Sequence, residues 1–290
     1  MFQPDLLKEK VVLVTGGGTG LGRAMAERFV ELGARLAICS RKLDVIQETA
    51  REIAQSRQGE TFAVSCDVRD PEQVAAMADA VVERYGRIDV LVNNAAANFT
   101  SPTERLSHRA VDAILGPVLH GTFYCTLEVG KRWIAAAQPG VMLNIVATYV
   151  HSGSGFVVPS AVAKSGIAAL TRSLAAEWGR YGIRQVAIAP GLFPTPGAMG
   201  QLAPTAEIQA MFQAEAVKRV PLGRVGDHSE LADLASYLIS DRAAYINGDI
   251  ITIDGGEWLY GAGEFNGLSE VPAEHWDLLT EMRKSLKPRG

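Results

Sequence analysis

The stretch Val11-Val-Leu-Val-Thr-Gly-Gly-Gly-Thr-Gly-Leu-Gly22 limits the possible folds more than any other part of the chain. Four apolar residues, three of them valine, read as a buried parallel strand. A glycine cluster follows directly. Arg23-Ala-Met-Ala-Glu-Arg-Phe-Val-Glu-Leu32 then repeats apolar residues at helical spacing. Strand, glycine turn and helix start together make a cradle for a pyrophosphate. Glycine admits tight turns and close backbone approach, and the helix N-terminus offers free N–H groups and partial positive charge. The spacing Gly16-x-x-x-Gly20-x-Gly22 therefore predicts a nucleotide site, although it departs from the literal G-x-G-x-x-G.

The rest of the chain continues the alternation that this first unit begins. Strands are expected near 10–15, 35–40, 61–66, 88–93, 141–147, 185–190 and 248–253. Helices are expected near 20–32, 43–56, 71–86, 104–114 continuing toward 136, 160–180, 206–217 and 229–240. Short connections between alternating strands and helices predict an α/β fold: a single-domain Rossmann-type doubly wound parallel sheet of about seven strands with helices on both faces. All 290 residues form one domain in this reading. The Gly-, Pro- and Ala-rich stretch 191–225 is expected to form a lid over the site, and 257–290 a C-terminal tail. Ligands of such sheets bind outside the carboxyl ends of the strands, so the residues just after each strand carry the function.

Composition narrows the partners. The net charge of −4 argues against nucleic acid and against a polybasic membrane surface. No apolar run reaches membrane-spanning length. The three cysteines, Cys39, Cys66 and Cys125, lack metal or redox spacing and read as packed thiols, which suggests a reduced, cytoplasmic setting. No metal is expected.

After the second expected strand come Ser40-Arg41-Lys42, where an acidic residue would accept the ribose 2′-hydroxyl of NAD. Arg41 forks well onto a phosphate and Lys42 adds charge, so NADP(H) is the expected cofactor. Asp67 and Val68 follow the third strand, Asn94 and Ala95 the fourth, and Pro190-Gly191 the sixth. With the glycine turn, these places resemble the short-chain dehydrogenase/reductase family, as does Asp254-Gly255-Gly256 at the last strand. The resemblance implies cofactor contacts at Gly16, Gly18, Thr19, Gly20, Leu21, Gly22, Asn94, Ala95, Lys164, Pro190, Gly191 and Phe193.

One departure from that family is specific. Most members place a tyrosine four residues before the lysine and a serine thirteen residues before that tyrosine. Here Lys164 is present, but Ser160 holds the tyrosine position and Ala147 the serine position. A tyrosine stands instead at Tyr149, in Thr148-Tyr149 followed by Gly153-Ser-Gly-Phe-Val-Val-Pro-Ser-Ala-Val-Ala-Lys164. That arrangement resembles the NADPH-dependent 2,4-dienoyl-CoA reductases of the short-chain type. Cys66-Asp-Val-Arg-Asp-Pro71, Asn98-Phe-Thr-Ser-Pro-Thr-Glu-Arg-Leu-Ser107 and Gly263-Glu-Phe-Asn266 are similar too.

The resemblance implies that Tyr149 and Asn98 hold the thioester oxygen, Lys164 the nicotinamide ribose, and that Ser160 sits in the site. It places substrate contacts on Arg69, Phe99 and Ser107. His120 stands where relatives carry asparagine and is given no role, and Pro194, Pro196 and Gln201 depart from the pattern around the acyl and CoA contacts. The implied reaction delivers hydride to the δ carbon of a 2,4-dienoyl-CoA and ends at a 3-enoyl-CoA. The implied assembly is a homotetramer, through helices rich in small residues such as Ala161, Ala168 and Ala175. Alternatives are a trans-2-enoyl-CoA reductase, a nucleotide-binding regulator without catalysis, and a carbonyl reductase, the last weakened by Ser160 and Ala147.

Overall fold

The computed structural model describes residues 3–197, 200 and 205–285. Seven parallel strands lie in the order β3-β2-β1-β4-β5-β6-β7. They are β1 (Val11–Thr15), β2 (Arg35–Ser40), β3 (Thr61–Ser65), β4 (Val90–Asn93), β5 (Gly140–Ile145), β6 (Ile183–Pro190) and β7 (Ile250–Ile253). The order reverses between β1 and β4, where Val12 pairs with Val90 and Val14 with Val92. At such a reversal the loops leave in opposite directions and open a crevice.

The helices are α1 (Gly20–Glu31), α2 (Leu43–Arg57), α3 (Pro71–Tyr85), α4 (His108–Leu115), α5 (Gly121–Ala135), α6 (Val158–Trp178), α7 (Ala206–Lys218), α8 (His228–Ile239), α9 (Glu257–Ala262) and α10 (Ala273–Ser285). The residues say why several begin where they do. Asp70 caps α3 by accepting from the N–H groups of Glu72 and Gln73, with Pro71 in the first turn. Asp227 and Glu230 form a reciprocal capping box on α8. The long helix expected from 104 toward 136 is α4 and α5 joined by a wider π-helical turn, Gly116–His120. His120 is exposed on that turn, beside Tyr124.

Side chains alternate across the sheet, so one strand feeds two cores. Val12 and Val14 join Met25, Phe29, Ile38, Ile46, Leu231 and Leu238 beneath α1, α2 and α8. Val11 and Leu13 join Met77, Val81, Leu91, Trp133, Met142 and Trp178 on the opposite face. A buried polar chain links the two middle strands. Asn93 donates to Asn144 at 2.9 Å and to Thr126 at 3.1 Å, and Asn144 donates to Thr171 at 2.9 Å. These bonds fix the carboxyl ends of β4 and β5, from which the site is built. Gln201 lies outside the described residues. Among the described residues no helix is long and apolar enough to cross a membrane, and no group of three or more His, Cys, Asp or Glu side chains is arranged to hold a metal.

Candidate active site

The glycine turn is locked to the loop after β4. Thr15 Oγ1 accepts from the N–H groups of Asn94 at 3.0 Å and Ala95 at 3.1 Å. The Asn94 amide donates in return to the carbonyls of Thr15 and Gly16, each at 3.1 Å. Gly16 and Gly20 have φ of +66° and +54°, the left-handed region that disfavours other residues. A Cβ on Gly22 would lie 2.3 Å from the Gly16 carbonyl oxygen, so only glycine lets α1 start this close to the turn. Gly18 serves a different purpose: a Cβ there would lie 2.8 Å from Ile46, and its carbonyl accepts from Thr49 at 3.0 Å. It packs the turn before α1 against α2.

Two cavities flank this turn. One, of about 440 Å³, is lined by Gly16, Thr19, Gly20, Leu21, Gly22, Asn94, Ala95, Asn98, Lys164, Pro190, Gly191 and Phe193. The other, of about 310 Å³, is lined by Ser40, Arg41, Lys42, Asp67, Val68 and Arg69. Together they bring to one crevice every expected cofactor residue except Gly18. A dinucleotide phosphate fits donors of this kind: free N–H groups at the start of α1, and Arg41 and Lys42 without a carboxylate at the end of β2. Asp67 is held by the Arg69 guanidinium, Nε to Oδ1 at 2.9 Å, which keeps its carboxyl below the usual range.

A third cavity, of about 780 Å³, adjoins the first. Asn98, Ala147, Pro190 and Gly191 line both, so a group in one meets a group in the other across these residues. Tyr149 lies in the wall of the larger cavity, on a single 3₁₀ turn (Thr148–Val150) that follows β5. Its hydroxyl is 2.8 Å from Ser160 Oγ, in the first turn of α6. Thus Ser160, at the usual tyrosine position, reaches the displaced phenol. If Ser160 donates, the phenol proton is free for a substrate oxygen. Burial raises the phenol pKa, and the Ser160 bond opposes that rise.

Lys164 is one turn further along α6 and 6% exposed. It donates to the Ile145 carbonyl at 2.5 Å, at the end of β5. Burial pushes its pKa down to about 8. The lysine therefore faces the 440 Å³ cavity as an ammonium close to its titration point.

The three expected substrate residues are not brought to the larger cavity. Arg69 lines the 310 Å³ cavity and pairs with Asp67. Ser107 caps α4 by accepting from Ala110 N–H. Phe99 packs against the apolar cluster around Val118 and Ile167. Other residues supply that wall: Phe156, and the ion pair Arg219–Glu257 at 3.1 Å between the end of α7 and the start of α9. Trp258 stacks on His151 at 5.6 Å and ties α9 to the Tyr149 turn. Sequence reading placed Arg219 in the expected lid and Glu257 and Trp258 in the expected tail without their contacts, and it missed Phe156 and Thr15, whose hydroxyl joins the two phosphate-side loops. Only Thr15 carried a signal, as a polar residue ending an apolar strand. Pro194, in the stretch that departs from the family pattern, bonds through its carbonyl to His228 at 2.8 Å.

Comparison with known proteins agrees with this architecture. Residues 16–257 match the family described as Enoyl-(Acyl carrier protein) reductase. A Bacillus subtilis protein named probable 2,4-dienoyl-CoA reductase [(2E)-enoyl-CoA-producing] is 42% identical, over 87% of this chain and 98% of its own. A Caenorhabditis elegans protein named probable 2,4-dienoyl-CoA reductase 3 [(3E)-enoyl-CoA-producing] is 43% identical, over 92% of this chain and 86% of its own. Among solved structures, a short chain dehydrogenase from Bacillus anthracis is 43% identical and superposes with a TM-score of 0.78, over 87% of this chain and 97% of that one. With the glycine turn, the doubly wound sheet and the two joined cavities, these matches place the chain in the short-chain dehydrogenase/reductase family, oxidoreductases that work with a nicotinamide dinucleotide.

Proposed function

We propose that the chain is an NADPH-dependent reductase of 2,4-dienoyl-CoA thioesters that yields 3-enoyl-CoA. The observation that carries this reading is the Tyr149–Ser160 contact of 2.8 Å in the wall of a cavity that shares Asn98 with the cofactor crevice. The names of the relatives support the substrate class. Arg41 and Lys42 support NADPH over NADH, because two cations suit a 2′-phosphate, no carboxylate follows β2 to take a free hydroxyl, and Asp67 of the same cavity is already paired with Arg69.

The carbonyl of a 2,4-dienoyl thioester is conjugated through to the δ carbon. When bound, NADPH supplies the hydride that this carbon accepts. Electron density then moves to the thioester oxygen, and the chain must stabilise that charge without giving up a proton for good. Tyr149 O–H and the Asn98 amide N–H are the donors in this reading, aimed at an oxygen in a site partly closed to water. Ser160 orients the phenol, and Lys164 holds the nicotinamide ribose through its ammonium. Water protonates the α carbon, which leaves the remaining double bond at the 3-position. Carbonyl reduction needs an acid on the helix itself, and α6 carries serine at that place.

The test follows NADPH absorbance with a 2,4-dienoyl-CoA, for the wild type and Tyr149→Phe. Removal of one oxyanion donor lowers kcat by about 10²- to 10³-fold. An unchanged kcat would assign the donor elsewhere. No turnover of the diene, with 2-enoyl-CoA accepted instead, would favour hydride addition at the β carbon, a second reading that the family's printed description favours. NADPH binding with no thioester consumed would favour a regulator. Tetramer formation belongs to the same proposal, supported by Phe123, Val158 and Val162, apolar residues that α5 and α6 leave exposed. So does a cytoplasmic setting, supported by three buried thiols without a disulfide.

A further inference from the structure

The segment between Tyr149 and α6 contains a residue in an unexpected conformation. Phe156 has φ of +64°, in the left-handed region. A bulky L-residue pays there in steric repulsion between Cβ and the following carbonyl, whereas glycine or asparagine would adopt it readily. The structure holds Phe156 in place through its carbonyl, which accepts from Ser101 N–H at 2.8 Å across the cavity mouth. The side chain gains no burial for this: it is 66% exposed, while the next residue, Val157, is 9% exposed. Gly153 and Gly155 precede it, and a Cβ on either would meet nothing within 4 Å, so the loop stands clear of the body. A strained backbone that presents an exposed aromatic ring is a feature found at ligand clamps.

The ring lies in the wall of the 780 Å³ cavity that Tyr149 also lines. Arg219 and Glu257 are the charged side chains in that wall, and they neutralise each other at 3.1 Å. The cavity therefore offers no net charge to a phosphate, and Pro102, Phe156, Val157, Leu192 and Ala216 give it apolar surface beside its hydroxyl and amide groups. We propose that Phe156 is a specificity-determining residue whose ring closes on the acyl chain of a thioester seated against Tyr149. This rests on the reading of the cavity as a thioester site. Favourable contact with the chain offsets the backbone strain, and that contact grows with chain length.

The test separates ring from strain. Phe156→Gly removes both, and Phe156→Ala removes the ring and keeps the strain. Binding of saturated butanoyl-CoA and dodecanoyl-CoA to the NADP⁺-loaded enzyme is measured by calorimetry, and unfolding of each variant by heat. Phe156→Gly is expected to unfold a few degrees higher than the wild type, from relief of the left-handed φ. It is also expected to lose about tenfold in affinity for dodecanoyl-CoA, and less than about threefold for butanoyl-CoA. Phe156→Ala is expected to show the same length-dependent loss without the thermal gain. An equal loss for both thioesters, no loss, no binding of either by the wild type, or a Phe156→Gly variant that unfolds lower would each overturn the proposal. Dienoyl-CoA turnover by the wild type is measured separately. Its absence, with length-dependent binding intact, would sink the reductase reading and leave the role of Phe156 standing.

Discussion

Replacement of Lys164 by methionine is expected to stabilise the cofactor-free chain at neutral pH. The lysine is 6% exposed and its pKa is about 8, against the usual 10.5. Its folded-state pKa lies below the unfolded value, so the unfolded chain binds more protons between those two points. The cost of holding the ammonium is fully present below pH 8 and fades as pH rises toward 10.5. The difference corresponds to about 3 kcal/mol at pH 7 and about 1.5 kcal/mol at pH 9.5. Methionine fills similar space without charge, but it leaves the Ile145 carbonyl without its donor, worth about 1 kcal/mol. The net gain is about 2 kcal/mol at pH 7 and less than about 1 kcal/mol at pH 9.5. For a chain of this size that is on the order of 5 °C in Tm at neutral pH. Urea unfolding of both proteins, at equal concentration and both pH values, measures the gap, and NADPH affinity measured alongside should fall in the variant. A Lys164→Met chain less stable at pH 7, or a gap that does not close with pH, would refute the reasoning.

Two further outcomes follow from the cofactor crevice. Arg41→Ala should weaken NADPH binding by about 10- to 100-fold and leave NADH binding unchanged, since only the former carries the phosphate; equal loss of both in a fluorescence titration would remove Arg41 from that role. Gly22→Ala places a Cβ 2.3 Å from the Gly16 oxygen, and should lower stability by about 1–3 kcal/mol and abolish NADPH binding. Calorimetry showing full-affinity NADPH binding by the variant would mean that the turn can shift without harm.

The sheet was legible because its signals are local. Val11–Val14, Arg35–Ser40 and Ile183–Pro190 each state their strand within a few residues, and Asp70, Pro71 and Gly86 punctuate α3 at both ends. The cofactor crevice was legible for a related reason: its residues follow strand ends, and parallel topology brings strand ends together. Gly18 shows the limit, because a glycine demanded by Ile46 reads the same as one demanded by a phosphate. In the larger cavity Asn98 and Tyr149 were legible, while the pairing that closes its wall was not. Arg219 and Glu257 are 38 residues apart, with nothing in either neighbourhood that names the other. Ser107 was assigned to substrate through likeness alone, and in the structure its hydroxyl accepts from Ala110 N–H at the start of α4. The positive φ of Phe156 has no compositional mark, since phenylalanine is the residue least suited to announce it.

The border between the two cavities has a consequence for how such a chain can change. Asn98, Ala147, Pro190 and Gly191 line both sides, and three of those four carry no polar side chain. Asn98 is therefore the one side chain of the partition that can donate or accept a hydrogen bond toward either cavity. What distinguishes one acceptor from another must be written beyond it, on the segment from Thr148 to Val157 and on the α7–α9 edge. Those parts are tied to α6, β7 and the loop after β4, through Tyr149–Ser160, His151–Thr252 and Ser101–Phe156, and their residues do not join the core beneath the glycine turn. Redrawing them leaves the nucleotide half intact, so a lineage can exchange the molecule it reduces while inheriting the reductant unchanged.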